Sequence, residues 1–265
     1  MNIFLHELKL IRKSTLIWTF SLAALAVLFL SLYPAFSHDV ANVKKLLEGV
    51  PEDVRKAIGL SLADFFTVHG FYSYIFAYIM LAGSIQAMNT GLSILSKEVV
   101  GKTADFLFTK PVSRAEVLTA KLLAALTSFL FTNAFYIITA VFTALAVSKE
   151  PFSMRIFIMI SATLFFIQLI FFSLGILISV AFPKIRFAIA VSLAIVFGFF
   201  IINMFESVFG DQTLRYITPY KYFESAYIIK NGLYETRFVI LTILVIIAAI
   251  TASYILYLKQ DINTV

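Results

Sequence analysis

Six long apolar runs constrain this chain more than any other feature. They lie near 16–36, 71–95, 122–147, 156–182, 187–209 and 238–258. At 1.5 Å of rise per helical residue, each is long enough to cross a hydrocarbon layer ~30 Å thick. Lipid offers the backbone no hydrogen bonds, so a segment of this kind closes its own as a helix. No Asp, Lys or Arg stands near the centre of any run, and Glu206 lies close to the outer end of the fifth. The chain is 61% hydrophobic and 14% charged, where a soluble domain is roughly 45–50% apolar and about 25% charged. That excess does not fit inside one water-soluble core. The expected fold is an all-α membrane protein with six transmembrane helices, organised as a single domain over 1–265.

The first run follows the bases Lys9, Arg12 and Lys13 and is longer than the ~7–15 residues of a signal-peptide core. It reads as an uncleaved first helix. Six spans place both termini on one side. The basic flank before the first helix assigns that side to the cytoplasm, because bases gather at cytoplasmic helix ends. The same rule explains the net charge of +6 without a nucleic-acid partner.

Three segments outside the runs carry helical signals. In residues 1–15, Phe4, Leu8 and Ile11 share one face and His6, Lys9 and Lys13 another. That pattern suits an interfacial helix with its basic face toward anionic headgroups; a plain extension of the first span is the other reading. In the outer loop 37–70, Pro51, the acids Glu52 and Asp53, the bases Arg55 and Lys56, and then Gly59 follow the start and stop order of a short helix. One or two non-spanning helices are expected there. The tyrosine-rich stretch 210–237 should hold a helix over about 219–231, opened by Pro219 and closed by Gly232. It is too short to span, and its tyrosines suit the outer interface.

Catalytic signals are sparse. The chain has no cysteine, and His6, His38 and His69 are scattered outside the runs, so thiol chemistry and the H-E-x-x-H zinc motif are excluded. Ion-driven carriers place ionisable groups within the membrane, and these spans are nearly bare of them. Gly101-Lys102-Thr103 ends like a phosphate-binding loop. However, Ser96 stands where that loop needs its first glycine, and an apolar run replaces the preceding strand. The spans also carry the amides Gln86, Asn89, Asn133, Gln168 and Asn203. They suit either a polar path lining, with Gln86, Asn89 and Asn203 as candidates, or hydrogen bonds that join helices. Ala190, Ala194 and Gly198 in the fifth run, and Ala248/Ala252 and Ala249/Ser253 in the sixth, have the spacing of close helix packing.

The loop 96–121 is the most informative charged segment. Ala104 to Phe108 reads as a short helix, Pro111 ends it, and Ser113 with Glu116 forms a capping box for the next helix. Phe106, Leu107 and Phe108 need an apolar surface to lie against. The pattern Glu98, Gly101, Thr103, Phe106-Leu107, Pro111-Val112-Ser113-Arg114 and Lys121 resembles the membrane subunit of ABC transporters with the type-2 exporter fold. In that family this loop is a cytoplasmic coupling helix docked in a groove of a separate ATPase subunit. The resemblance implies a permease without catalysis or cofactor of its own, with ATP and magnesium held by the partner. It also implies a second permease subunit, identical or homologous, and a multi-pass protein of the cell membrane. Glu98, Asp105, Phe106, Leu107, Phe108, Pro111 and Arg114 would face the ATPase. Helices one, two and five would line the path. On the residues alone, a stand-alone structural or signalling membrane protein, or a carrier without an ATPase, stays open.

Overall fold

The computed structural model describes residues 3–100 and 113–259, apart from the side chains of 97–100. Among these residues the structure is helical, with no strand. Six helices are long and apolar enough to cross a membrane. They are α1 (Ile3–Leu30), α5 (Val68–Val100), α6 (Arg114–Val147), α7 (Met154–Ala181), α8 (Ala188–Phe209) and α11 (Thr236–Lys259). Shorter helices fill the loops at the end of the bundle remote from the α1 N-terminus, labelled outer, the opposite end being inner: α2 (Tyr33–His38), α3 (Val40–Glu48), α4 (Glu52–Ala57), α9 (Gln212–Ile217) and α10 (Ser225–Asn231), with a 3-10 turn at Pro219–Lys221.

Two helix pairs make the frame. α5 lies along α7, and α1 lies along α6. α11 packs on α7 and α8 on α5. The first pair approaches closely where two glycines face each other. A Cβ on Gly91 would stand 2.6 Å from the Phe172 carbonyl oxygen, and one on Gly175 would stand 2.8 Å from that of Met88. The α1–α6 pair runs parallel and is laced by small hydroxyls. Thr15 Oγ1 bonds Ser128 Oγ at 2.6 Å and Thr19 Oγ1 bonds Thr132 Oγ1 at 2.9 Å, four residues further along both helices. Tyr72 on α5 ties the pairs together, its hydroxyl 2.6 Å from both Tyr136 of α6 and Ser161 of α7.

The first fifteen residues do not form a helix of their own. α1 runs unbroken from Ile3, the extension reading, because no proline or glycine interrupts it and its inner end is held against α6. It stops at Leu30, just before Pro34, which has no N–H to continue the ladder. The outer loop holds α3, capped by the Asp39 side chain, and α4, with the acidic-first, basic-last order expected of it. Gly59 takes the left-handed φ of +75° just past α4. The single helix expected over 219–231 is divided into the 3-10 turn and α10. Between them Tyr222 stacks on Phe238 and Phe223 on Phe166, so aromatic packing overrides helical continuity.

The sets of small residues part ways. Ala249 and Ser253 of α11 are buried, Ala248 is exposed and Ala252 half-buried, and Ala190, Ala194 and Gly198 of α8 face outward, with nothing among the described residues within 4 Å of a Cβ on Gly198.

Candidate functional site

Polar side chains inside the bundle collect at two levels. At the inner level a cavity of about 120 Å³ lies between α1, α5 and α6, lined by Glu7, Gln86, Asn89, Thr90, Ser93 and Lys121 among others. Its floor is an ion pair: Lys121 Nζ donates to Glu7 Oε1 at 2.9 Å, with Glu7 5% and Lys121 2% exposed. Burying two charges is favourable only when each satisfies the other, so this pair fixes the inner end of α1 to the head of α6. Its sequence signal was slight. Lys121 belongs to the resemblance pattern, and Glu7 is an acid within an otherwise basic amphipathic segment.

Above the pair, three amides form a chain across the bundle. Asn133 Nδ2 of α6 donates to Gln168 Oε1 of α7 at 2.5 Å, and Gln168 Nε2 donates to Gln86 Oε1 of α5 at 3.0 Å. Gln86 and Gln168 are 2% and 0% exposed. These amides join helices, and Gln86 does so from the wall of the inner cavity. Asn89, one turn away and half-buried, lines the same cavity.

Asn203 belongs elsewhere. It lines a cavity of about 170 Å³ at the outer level, between α5, α8 and the segment after α8, together with Asp64, Lys221 and Glu224. The structure therefore brings Gln86 and Asn89 together and separates Asn203 from them. The outer wall is held by a charge network. Arg215 Nη2 reaches Glu235 at 2.5 Å, Lys221 reaches Glu206 at 2.7 Å and Glu224 at 3.5 Å, and Arg237 also pairs with Glu235. The Arg215 guanidinium lies 4.3 Å from the centre of the Phe238 ring, where cation–π attraction adds to the pairing. Glu206, set at the end of a span, is thus compensated by Lys221. Tyr234 donates to the Met159 carbonyl at 2.8 Å, and burial pushes its hydroxyl up to about 12, so it remains a neutral donor.

The loop joining α5 to α6 starts and ends on firm supports. α5 carries its backbone to Val100. α6 opens with the capping box read from the sequence: Ser113 Oγ accepts from Glu116 N at 3.2 Å, and Ser113 N donates to Glu116 Oε2 at 2.9 Å. Arg114, half-exposed, is the first residue of α6. Asp105, Phe106, Leu107, Phe108 and Pro111 lie outside the described residues, as does the side chain of Glu98. Among the described residues no cluster of His, Cys, Asp and Glu is arranged to hold a metal ion.

The family model described as ABC-2 family transporter protein matches residues 1–262. No curated protein and no solved structure matches the chain.

Proposed function

The chain belongs to the ABC-2 family of transporter proteins, and from that premise we propose that it is the permease half of an ATP-driven exporter. Membership makes it a multi-pass membrane protein and the permease of an ABC transporter, a family whose membrane proteins partner with ATPase subunits. The finer reading is ours. Two permeases, identical or homologous, form the substrate path between them. Two separate ATPase subunits hold ATP and magnesium below, both termini lie in the cytoplasm, and the loop 96–121 receives the ATPase stroke.

The observation that carries this reading is where that loop is anchored. It leaves α5, which packs on α7, and enters α6, which packs on α1. A push on the loop therefore acts on both helix pairs at once, and the Glu7–Lys121 pair links the head of α6 to α1. The outward row Ala190, Ala194 and Gly198 supports the paired permease, since small residues permit close approach of another helix.

The test is whether an ATPase gene with Walker motifs lies beside this one, then co-purification with its product and ATP hydrolysis in lipid. Truncating an apolar anchor at an interface hot spot removes about 2 kcal/mol or more, which loosens assembly more than tenfold. Phe106→Ala and Arg114→Glu should insert normally yet weaken co-purification or abolish transport. Lys102→Ala should do much less, because on this reading the loop holds no phosphate. The reverse pattern would return Gly101-Lys102-Thr103 to consideration as a nucleotide site.

A further inference from the structure

On its exposed side, the α1–α6 pair leaves an open groove of about 630 Å³. Its composition changes along its length. At the inner end stand three bases, His6, Lys9 and Arg12, one helical turn apart on α1 and all exposed, with Leu5 and Leu8 beside them. Deeper in are Leu16, 40% exposed, and Phe131 of α6, 50% exposed, with the Thr15–Ser128 hydroxyl pair between the two zones. From Arg12 to Leu16 the helix rises ~6 Å. Charge confined to one end, with only hydroxyls and hydrocarbon beyond it, matches a phospholipid read from headgroup to chain.

The charges are available. His6, Lys9 and Arg12 form no ion pair with any described residue, and no acid lines the groove. Glu7, between two of them in sequence, points the other way and is committed to Lys121. We infer that this groove is a binding site for one anionic phospholipid, its phosphate at Lys9 and Arg12 and an acyl chain along Leu16 and Phe131. The charge balance favours lipid over a second copy of this chain. The acids described at this end, Glu7 and Glu116, are both engaged already, so another copy would add bases to bases.

A basic residue near an anionic membrane surface gains enough that two of them give a preference on the order of tenfold for anionic lipid. In vesicles with about 10 mol% phosphatidylglycerol in phosphatidylcholine, such a preference fills roughly half of the sites. The chain has one tryptophan, Trp18, two residues beyond Leu16. Its fluorescence reports locally when bromine is placed on the acyl chains of one lipid at a time, each at the same mole fraction. Brominated phosphatidylglycerol should quench Trp18 more than equally dilute brominated phosphatidylcholine. Lys9→Ala with Arg12→Ala should equalise the two, Lys9→Arg should keep the difference, and Lys184→Ala with Arg186→Ala should leave it intact. Equal quenching in the wild type overturns the site. So does an equal loss with the Lys184 and Arg186 pair, which would mark a general surface field. A disulfide forming between copies through Leu16→Cys would give the groove to a second chain instead. The measurement uses neither ATP nor a partner protein and sees both leaflets, so its failure is distinguishable from failure of the permease reading.

Discussion

Lys121 sits 2% exposed with its ammonium 2.9 Å from Glu7, inside a helix bundle. Removing one member of such a pair strands the other as an uncompensated charge, which typically destabilises by about 3–5 kcal/mol. Lys121→Met should therefore lower the thermal midpoint of the purified protein sharply, and adding Glu7→Gln to it should restore much of the loss. If the double variant is no better than the single, the two side chains do not act as a pair. The amide chain is a milder case. Interhelical hydrogen bonds in membranes are worth about 0.6 kcal/mol on average, up to ~1.7. Gln168→Leu, which leaves Gln86 without its donor and Asn133 without one acceptor, should cost about 1 kcal/mol in the same assay. Each of these residue types was visible in the sequence, and the amides were singled out as candidate glue. Their partners were not visible, because the three amides meet across gaps of 82 and 35 residues. Which face of each helix turns inward depends on packing, not on spacing along one segment.

The presence of six long apolar helices was legible from hydropathy. Their ends were not. α5 continues to Val100 and α6 begins at Arg114, well outside the apolar runs, because hydropathy marks where the chain is oily while backbone hydrogen bonding continues into charged sequence. The capping box at Ser113 marked one true end, since capping is a local interaction. The break within 219–231 was hidden because its cause lies in distant rings, Phe166 and Phe238. Glycine spacing likewise could not tell a packed helix from an unpacked one. Gly175 meets the α5 backbone, while a Cβ on Gly198 meets nothing within 4 Å among the described residues. Gly175→Leu should therefore abolish folding, read as aggregation in size-exclusion chromatography. Gly198→Leu should leave the single chain folded and reduce cross-linking between copies. Intact cross-linking in Gly198→Leu would remove that row from the proposed permease interface.

For the whole molecule, the proposed orientation rests on the bases Lys9, Arg12 and Lys13 in the N-terminal turns of α1. In this cysteine-free chain, a cysteine placed at Gly101 or Val265 should resist an impermeant maleimide applied to intact cells. One at Leu46, 75% exposed on α3, should react. Labelling the other way round would invert the topology and move the 96–121 loop away from any cytoplasmic ATPase. Burial is uneven among the six spans. In its most apolar window α7 is 61% buried, against 11% for α8 and 17% for α11. That inequality bears on how the chain is made. A ribosome releases α1, α5 and α6 before α7, yet the glycine face and Gln86 of α5 find their partners only on α7. Until residue 181 has emerged, a half-made protein holds an amide-bearing span that touches α1 and α6 but lacks its main packing partner. An insertase or membrane chaperone that retains spans with unsatisfied polar groups would keep hold of α5 for that interval and let go when the fourth span arrives. Synthesis of α7 is then the step that locks α5 to the already paired α1 and α6 as one folded body.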